Sequence, residues 1–420
     1  MGQSTTVSAG KTSKTRAKRT RKAAQLHVRV DLPLLGIVLT LLAIGLMMLF
    51  SASWDFSWHI DKPISYIFLR QLVWLGLGLV TAGVLVFLDY HWVQKFAILI
   101  LGGTILALIA VLVVSEVRHG AARTLNAGSI QPSELAKLMV ILYLGVWLSV
   151  KQERLHSVSL GLIPMGVLLG FIGALIFLQP DMSATITIFI LGGMMFFLAG
   201  GETKQIFIVV VVALIAGWLV VWVNPTGSNR MATYIPGLYD PLDASYHVRR
   251  AIGAFVNGGW LGTGVNNGIV KLTSLPLPHS DSIFAVIGEE LGVWGATLMV
   301  VLYSLLMWRS LVIARNAPDS LGRLLAAGLG FWLVMEAFFN MSGILGLLPF
   351  AGNALPFVSA GGSSLLVSLA AIGILLNVSR LSVEKRETEE RRTFGEVVNL
   401  RRWDRRRRVS RTRRTRTSGR

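Results

Sequence analysis

The chain has 420 residues, 53% hydrophobic and only 15% charged, with a mean hydropathy of +0.62; soluble domains are nearer a quarter charged, so this composition excludes an ordinary soluble protein. The formal net charge of +18 resembles a nucleic-acid signal until it is mapped: residues 1–30 hold eight Lys/Arg and no acid, residues 380–420 sixteen Lys/Arg against six acids, and residues 31–379 sixteen of each sign. The excess therefore belongs to two basic tails, and the absence of cysteine excludes disulfides and thiolate metal sites.

Residues 1–30 read as a basic, disordered cytoplasmic tail. The basic stretch is too long for a cleavable signal peptide, and no small-residue cleavage site closes the apolar run near residue 50. Apolar runs of spanning length predict an all-α membrane protein with about ten transmembrane helices, near 33–53, 67–88, 96–114, 135–150, 158–178, 182–199, 205–223, 283–308, 324–345 and 362–380. With the N-terminus inside, Lys95, Lys151, Arg154, Lys204, Arg309, Arg315 and Arg323 all fall in inner loops, so both termini are expected to be cytoplasmic. A large outer loop, about 224–280, separates helices 7 and 8. Within it Val248, Ile252, Phe255 and Val256 share a helical face, which predicts a short helix in the membrane interface. The membrane domain is thus 31–380, followed by an Arg-rich cytoplasmic tail, 381–420. Residues 401–420 hold eleven arginines against Asp404 and no hydrophobic periodicity. They are expected to be disordered, to attract anionic membrane lipids, and to bind no specific nucleic acid.

Ionisable residues within spans are costly and so mark candidate sites. Glu134 and Lys137 lie three apart on one helix face; they read either as a structural ion pair or as a cationic group at a cavity mouth. Arg70 enters the second helix from outside, and Glu336 and Asn340 lie one turn apart, suited to a helix-packing hydrogen bond. Asp181 follows Gln179-Pro180 at an outer helix break, and Asp281 closes the segment Leu275-Pro276-Leu277-Pro278-His279-Ser280-Asp281 before the eighth helix, with Glu289 and Glu290 two turns deeper. Either aspartate could serve as a helix cap. The last outer loop runs through Pro349 and Leu355-Pro356-Phe357 to Gly361-Gly362-Ser363-Ser364. Irregular backbone at membrane depth has to be buried in protein or line a wet cavity. Gly328-Leu329-Gly330 offers a close-approach face, for a partner helix or for the bundle's own interior.

Together these segments resemble the SEDS family, the FtsW, RodA and SpoVE proteins of bacterial wall synthesis, over roughly residues 33–380. The loop from Pro349 to Ser364 matches the family's last-loop signature. Gln131-Pro132-Ser133-Glu134 with Lys137, Leu178-Gln179-Pro180-Asp181, and the stretch from Leu275 through Asp281 to Gly292 match three further motifs in order. Departures stand at Thr124 (a family Trp), Ser183-Ala184, Arg250, Ser282 and Ala360. Length of both tails favours the FtsW-like division branch.

The resemblance implies a peptidoglycan glycosyltransferase that polymerises lipid II on the outer face of the cytoplasmic membrane, at the division septum. It implies Asp281 as general base. Substrate contacts would come from Arg123, Glu134, Lys137, Gln179, Asp181, Lys271, His279 and Ser363. A pyrophosphate leaves without protonation, so one carboxylate can suffice where a glycosidase needs two. The leaving group instead requires positive charge, from Arg123, Lys137 or Lys271, or from a divalent cation such as Mg or Mn. Implied partners are a class B penicillin-binding protein (a transpeptidase) and other divisome proteins. A lipid II flippase and a non-catalytic scaffold for the transpeptidase are the alternative readings.

Overall fold

A lipid environment leaves backbone N–H and C=O groups no water to bond, so long apolar runs close their hydrogen bonds internally as helices. The computed structural model describes residues 30–412 except 60, 115–130, 153, 154, 156, 224 and 274; the N-terminal tail, Arg123 and Thr124 thus lie outside the described residues. Among them, seven helices are long and apolar enough to cross a membrane: α1 (Leu32–His59), α2 (Tyr66–Phe87), α3 (His91–Val114), α4 (Pro132–Val150), α12 (Gly292–Asn316), α13 (Ser320–Ile344) and α14 (Gly362–Thr412). The shorter apolar helices are α5 (Ile163–Phe177), entered through a π-helical turn at Val158–Leu162, α6 (Met182–Leu198) and α7 (Thr203–Val223). All ten expected runs are helical. The outer loop carries α8 (Pro225–Gly237), α9 (Tyr246–Gly258) and the single turn α10 (Val270–Thr273), and α11 (Ile283–Glu290) follows it.

Helices that cannot gain from burying one apolar face against another pack through small residues instead. On α2 the buried positions are Gln71, Gly78, Ala82 and Val86, while Val73, Leu77, Val80 and Val84 face outward. A Cβ on Gly78 would sit 2.5 Å from the Leu369 side chain, and one on Gly373 would sit 2.7 Å from the Ala82 carbonyl. This seals α2 to α14. The centre of the bundle is α13, whose Trp332 is fully buried. Gly328 and Gly330 serve that packing: their missing side chains make room for Met195 and Ser310. The glycine pair is consumed inside the bundle and presents no face to a partner helix.

Ion pairs and caps sort the helix ends into two faces. On one, Asp31 before α1 accepts from Arg309 near the end of α12 at 2.6 Å. Beside it the Tyr90 hydroxyl donates to Asp319 at 2.9 Å, and Asp319 caps α13 through Gly322 N–H. On the other, Gln71 at the start of α2 meets Ser359 and Gly361 before α14, and Arg230 on α8 meets Ala351. This is the sorting that an alternating path through a bilayer produces.

Three expectations need correction. The eighth run is not one helix over 283–308: it breaks between α11 and α12, where Gly292 takes φ 68° and a Cβ would lie 2.5 Å from Gly262 N and Trp260 O. Outer-loop backbone fills that notch, so Glu289 and Glu290 end α11 rather than sit deep in a span. The amphipathic helix exists as α9, but it buries Val248, Ala251, Ala254 and Gly258 and leaves Val256 77% exposed. It packs on α11, where Gly258 closes to within 2.2 Å of Gly288 O from its Cβ position. The helix α14 continues to Thr412, through much of the tail expected to be disordered; Arg and Glu are good helix formers, and Glu387 and Arg391 stand at the favourable i, i+4 spacing.

Candidate functional site

The last outer loop folds back into the bundle. Leu355, Phe357 and Val358 are buried, the Tyr303 hydroxyl of mid-α12 donates to Pro356 O at 2.5 Å, and the Phe357 carbonyl lies 2.6 Å from where a Cβ of Gly45, mid-α1, would be. Irregular backbone at this depth has its polar groups satisfied by protein, as it must. The turn at Phe357 (φ 68°) and Gly352 (φ 69°) is left-handed, a conformation that costs a bulky residue such as Phe and is held by the surrounding bonds.

Those bonds stitch the loop to the segment that carries Asp281. The Ser359 hydroxyl accepts from Leu355 N–H at 2.8 Å and donates to Ser280 O at 2.7 Å. Ala360 N–H donates to His279 O at 2.8 Å. From α13, the Asn340 amide donates to Asp281 O at 2.9 Å and to Asn353 O at 2.5 Å, so Asn340 serves two loops, while Glu336 accepts the helix-packing bond, from Lys137 of α4. The N-cap of α11 is Ser282, so Asp281 stands one residue ahead of the cap with its carboxylate outside the helix. Its Oδ2 lies 3.3 Å from the Cβ position of Gly352, and Nη2 of Arg230 lies 4.0 Å from that same point. Arg230 also donates to Ala351 O at 3.1 Å. The structure therefore brings a carboxylate and a guanidinium to the same glycine at the outer end of the bundle. Arg230 was not legible as a site residue: it is one arginine in the long outer loop, and only the fold, through α8, brings it to Asp281.

The other sequence candidates divide into three groups. One is a knot of motifs. Asp181 caps α6 through Ala184 N–H at 3.2 Å and accepts from Gln131 at 2.8 Å and Ser133 at 3.0 Å. Gln131 N–H in turn donates to the Ser363 hydroxyl at 3.2 Å. The starts of α4, α6 and α14 are thereby tied together, and Asp181 acts as a cap. Gln179 is spent on Leu108 O of α3 at 3.0 Å. The second group is a buried triad: the Lys137 ammonium donates to Glu134 at 2.8 Å and to Glu336 on α13, beside the Trp332 ring. The third is under the outer loop, where Lys271 donates to Glu290 at 2.6 Å and to Ser51 at 2.6 Å. Glu289 accepts from Asn257 and the Ile269 N–H. Lys137 and Lys271 are thus both neutralised by carboxylates, while Arg230 shares its glycine with Asp281.

His279 is buried, and that burial pushes its pKa down to about 4, so it is a neutral imidazole near pH 7. It borders a cavity of about 270 Å³ with Arg70, Trp74 and Gly361. Among the described residues no three His, Asp or Glu side chains gather as a cation cage.

Such a fold and site define a multi-pass helical membrane protein with an outer-face carboxylate held against a re-entrant loop. The model of the Cell cycle protein family, that of FtsW, RodA and SpoVE, matches residues 32–384, and the chain belongs to this family. A probable peptidoglycan glycosyltransferase FtsW of Geobacter sp. (strain M18) is 35% identical over 353 residues, covering 83% of this chain and 96% of that protein. Stage V sporulation protein E of Bacillus subtilis (strain 168) is 34% identical over 357 residues, covering 84% and 97%. Of solved structures, Thermus thermophilus rod shape determining protein RodA matches with a TM-score of 0.63 at 26% identity, covering 84% of this chain and 97% of that one. A chain from a peptidoglycan synthase complex that coordinates polymerization and crosslinking matches with a TM-score of 0.69 at 26% identity, covering 84% and 98%.

Proposed function

We propose that this chain is a peptidoglycan glycosyltransferase that joins lipid II units into glycan strands at the outer face of the cytoplasmic membrane. Its relatives of near-equal length carry that activity in their names, and the observation that carries the reading is the meeting of Asp281 and Arg230 at Gly352. Asp281 takes the proton of the acceptor sugar's 4-hydroxyl. The freed oxygen attacks the donor's anomeric carbon as the bond from that carbon to the pyrophosphate oxygen breaks, and the electron pair leaves with the pyrophosphate. Arg230 offsets the charge that builds on the leaving group. Glu134, Lys137, Glu336, Asp181 and Gln131 hold α4, α6, α13 and α14 in the arrangement that keeps the re-entrant loop in place.

The relative solved in a synthase complex supports a transpeptidase of the class B penicillin-binding type as partner, and the FtsW names support work at the division septum. The experiment is polymerisation of lipid II by the purified full chain, with and without that partner. Asp281→Asn keeps the shape but cannot accept the proton, so it should insert and fold normally and make no glycan. Wild-type polymerisation by that variant would remove Asp281 from the chemistry.

A further inference from the structure

Beyond Arg230, on the outer side, lies a second cavity of about 410 Å³ between α8, the start of α9 and the end of α13. Its wall is mostly apolar, with Val248, Leu348 and Phe350, and its polar side chains are Arg230, Thr233, Tyr234, Ser245 and His247; the Tyr234 hydroxyl donates to Leu347 O and the Thr233 hydroxyl to Asn229 O of its own helix. Two of these are unspent: the Ser245 hydroxyl and the His247 Nδ1 are buried without a hydrogen-bond partner among the described residues. Ser245 is the N-cap residue of α9, yet its side chain makes no cap bond. A buried hydroxyl and ring nitrogen left this way cost free energy that a bound group would recover. The His247 ring is fixed by stacking on Phe350, with centroids 4.5 Å apart and planes 18° apart.

Arg230, Ser245 and His247 share a sign. Arg230 is a fixed cation, the first turn of a helix presents amides with no partner inside the helix, and Ser245 and His247 can each donate. The combination suits an anion, and the apolar wall suits a hydrocarbon attached to it. We infer that this cavity seats the pyrophosphate and first isoprenoid units of the polyprenyl-linked sugar donor, held by Arg230, Ser245 and His247. The inference rests on the glycosyltransferase reading. It agrees with the displacement chemistry, since the leaving group has to lie across the reacting sugar from the base, and Arg230 stands between Asp281 and the cavity.

The same geometry gives the site a proton signature. Burial and the neighbouring Arg230 hold the His247 pKa below its ordinary value, so the ring is neutral at pH 7. The other titratable groups lining the cavity are Arg230 and Tyr234 of α8, with Asp281 beyond Arg230. A pyrophosphate arriving beside the ring favours imidazolium, so binding takes up a proton and tightens as pH falls.

The test is calorimetric titration of the purified full chain in detergent with farnesyl pyrophosphate, in two buffers of different ionisation heat; farnesyl monophosphate and farnesol separate the charge from the chain. Wild type should bind the pyrophosphate with proton uptake. Ser245→Ala and His247→Gln should each weaken it by about tenfold, the loss of one charge-assisted hydrogen bond, and His247→Gln should abolish the proton uptake. Arg249→Gln, on the exposed side of α9, should change neither. Ile252→Trp fills the cavity without touching the polar groups and should block binding, which keeps the test open if a polar variant misfolds. Wild-type affinity in Ser245→Ala and His247→Gln, or equal affinity for farnesol, overturns the assignment. Lipid II polymerisation by the same preparations separates the two claims: the expected binding without polymerisation sinks the reaction and leaves the subsite, whereas polymerisation with a wild-type KM in both polar variants sinks the subsite alone.

Discussion

Replacing Lys137 by Met tests whether the charged residues of α4 are a lock or a substrate contact. The ammonium is 4% exposed and holds two carboxylates, Glu134 at 2.8 Å and Glu336 on the neighbouring α13. Methionine fills much the same volume but removes the positive charge from between two acids. Carboxylates that can both reach one ammonium are roughly 5 Å apart, and at an effective dielectric near 20 their mutual repulsion is about 3 kcal/mol. Lost hydrogen bonds bring the expected destabilisation to about 3–5 kcal/mol, the usual result of orphaning a buried ion pair. Adding Glu134→Gln and Glu336→Gln removes the repulsion and should recover most of that loss. The assay is unfolding of the detergent-solubilised protein followed by tryptophan fluorescence, with Trp332 beside the triad as a local reporter. A single variant as stable as wild type would refute the electrostatic argument, as would a triple variant no more stable than the single one. If the stable triple variant also polymerises lipid II, the triad is a lock and nothing more.

Other consequences are equally direct. Because the folded His279 stays neutral down to about pH 4 while an unfolded histidine is protonated near 6.5, the unfolded chain binds more protons in that window. Stability is therefore intact above pH 6.5 and falls toward pH 4 by about 3 kcal/mol; His279→Gln should flatten that part of the stability profile, and an unchanged slope would show that another group sets it. Gly45→Val puts a side chain where Phe357 O and Val358 Cα already lie, so it should destabilise by about 1–3 kcal/mol and lower polymerisation, read as melting temperature and glycan yield; wild-type values in both would mean that the loop does not reach α1. In this cysteine-free chain, Ser228→Cys should react with an impermeant maleimide on intact cells and Ser320→Cys should react only after permeabilisation, and outside labelling of Ser320→Cys would break the ten-helix path.

The ten apolar runs were legible because hydrophobic length is a one-dimensional property, read residue by residue. What was not legible depends on contacts between distant segments. The break at Gly292 exists because the backbone of Trp260 and Gly262 occupies the notch beside it; in the sequence, Gly288 to Gly292 looks like a permissive stretch of one helix. The pairing of Glu134 with Lys137 followed from their spacing, but the third member, Glu336, lies 199 residues away from Lys137 and read only as a helix-packing group with no partner named by the sequence. Lys271 looked like an available cation until the fold enclosed it with Glu290 and Ser51. Arg230 is the converse case, a residue without local pattern that the loop delivers to Asp281. The motif-bearing segments were found as separate strings, and their physical unity, Gln131 to Asp181 and to Ser363, is visible only in three dimensions.

The stitching of Asp281 also has a bearing on biogenesis. Its carbonyl is held by Asn340, and its two preceding residues are held by Ser359 and Ala360, all of which leave the ribosome after it. A nascent or truncated chain ending before residue 340 has every helix through α12 and still lacks the partners that set the carboxylate. The bonds that set the Asp281 segment thus wait on insertion of the final span.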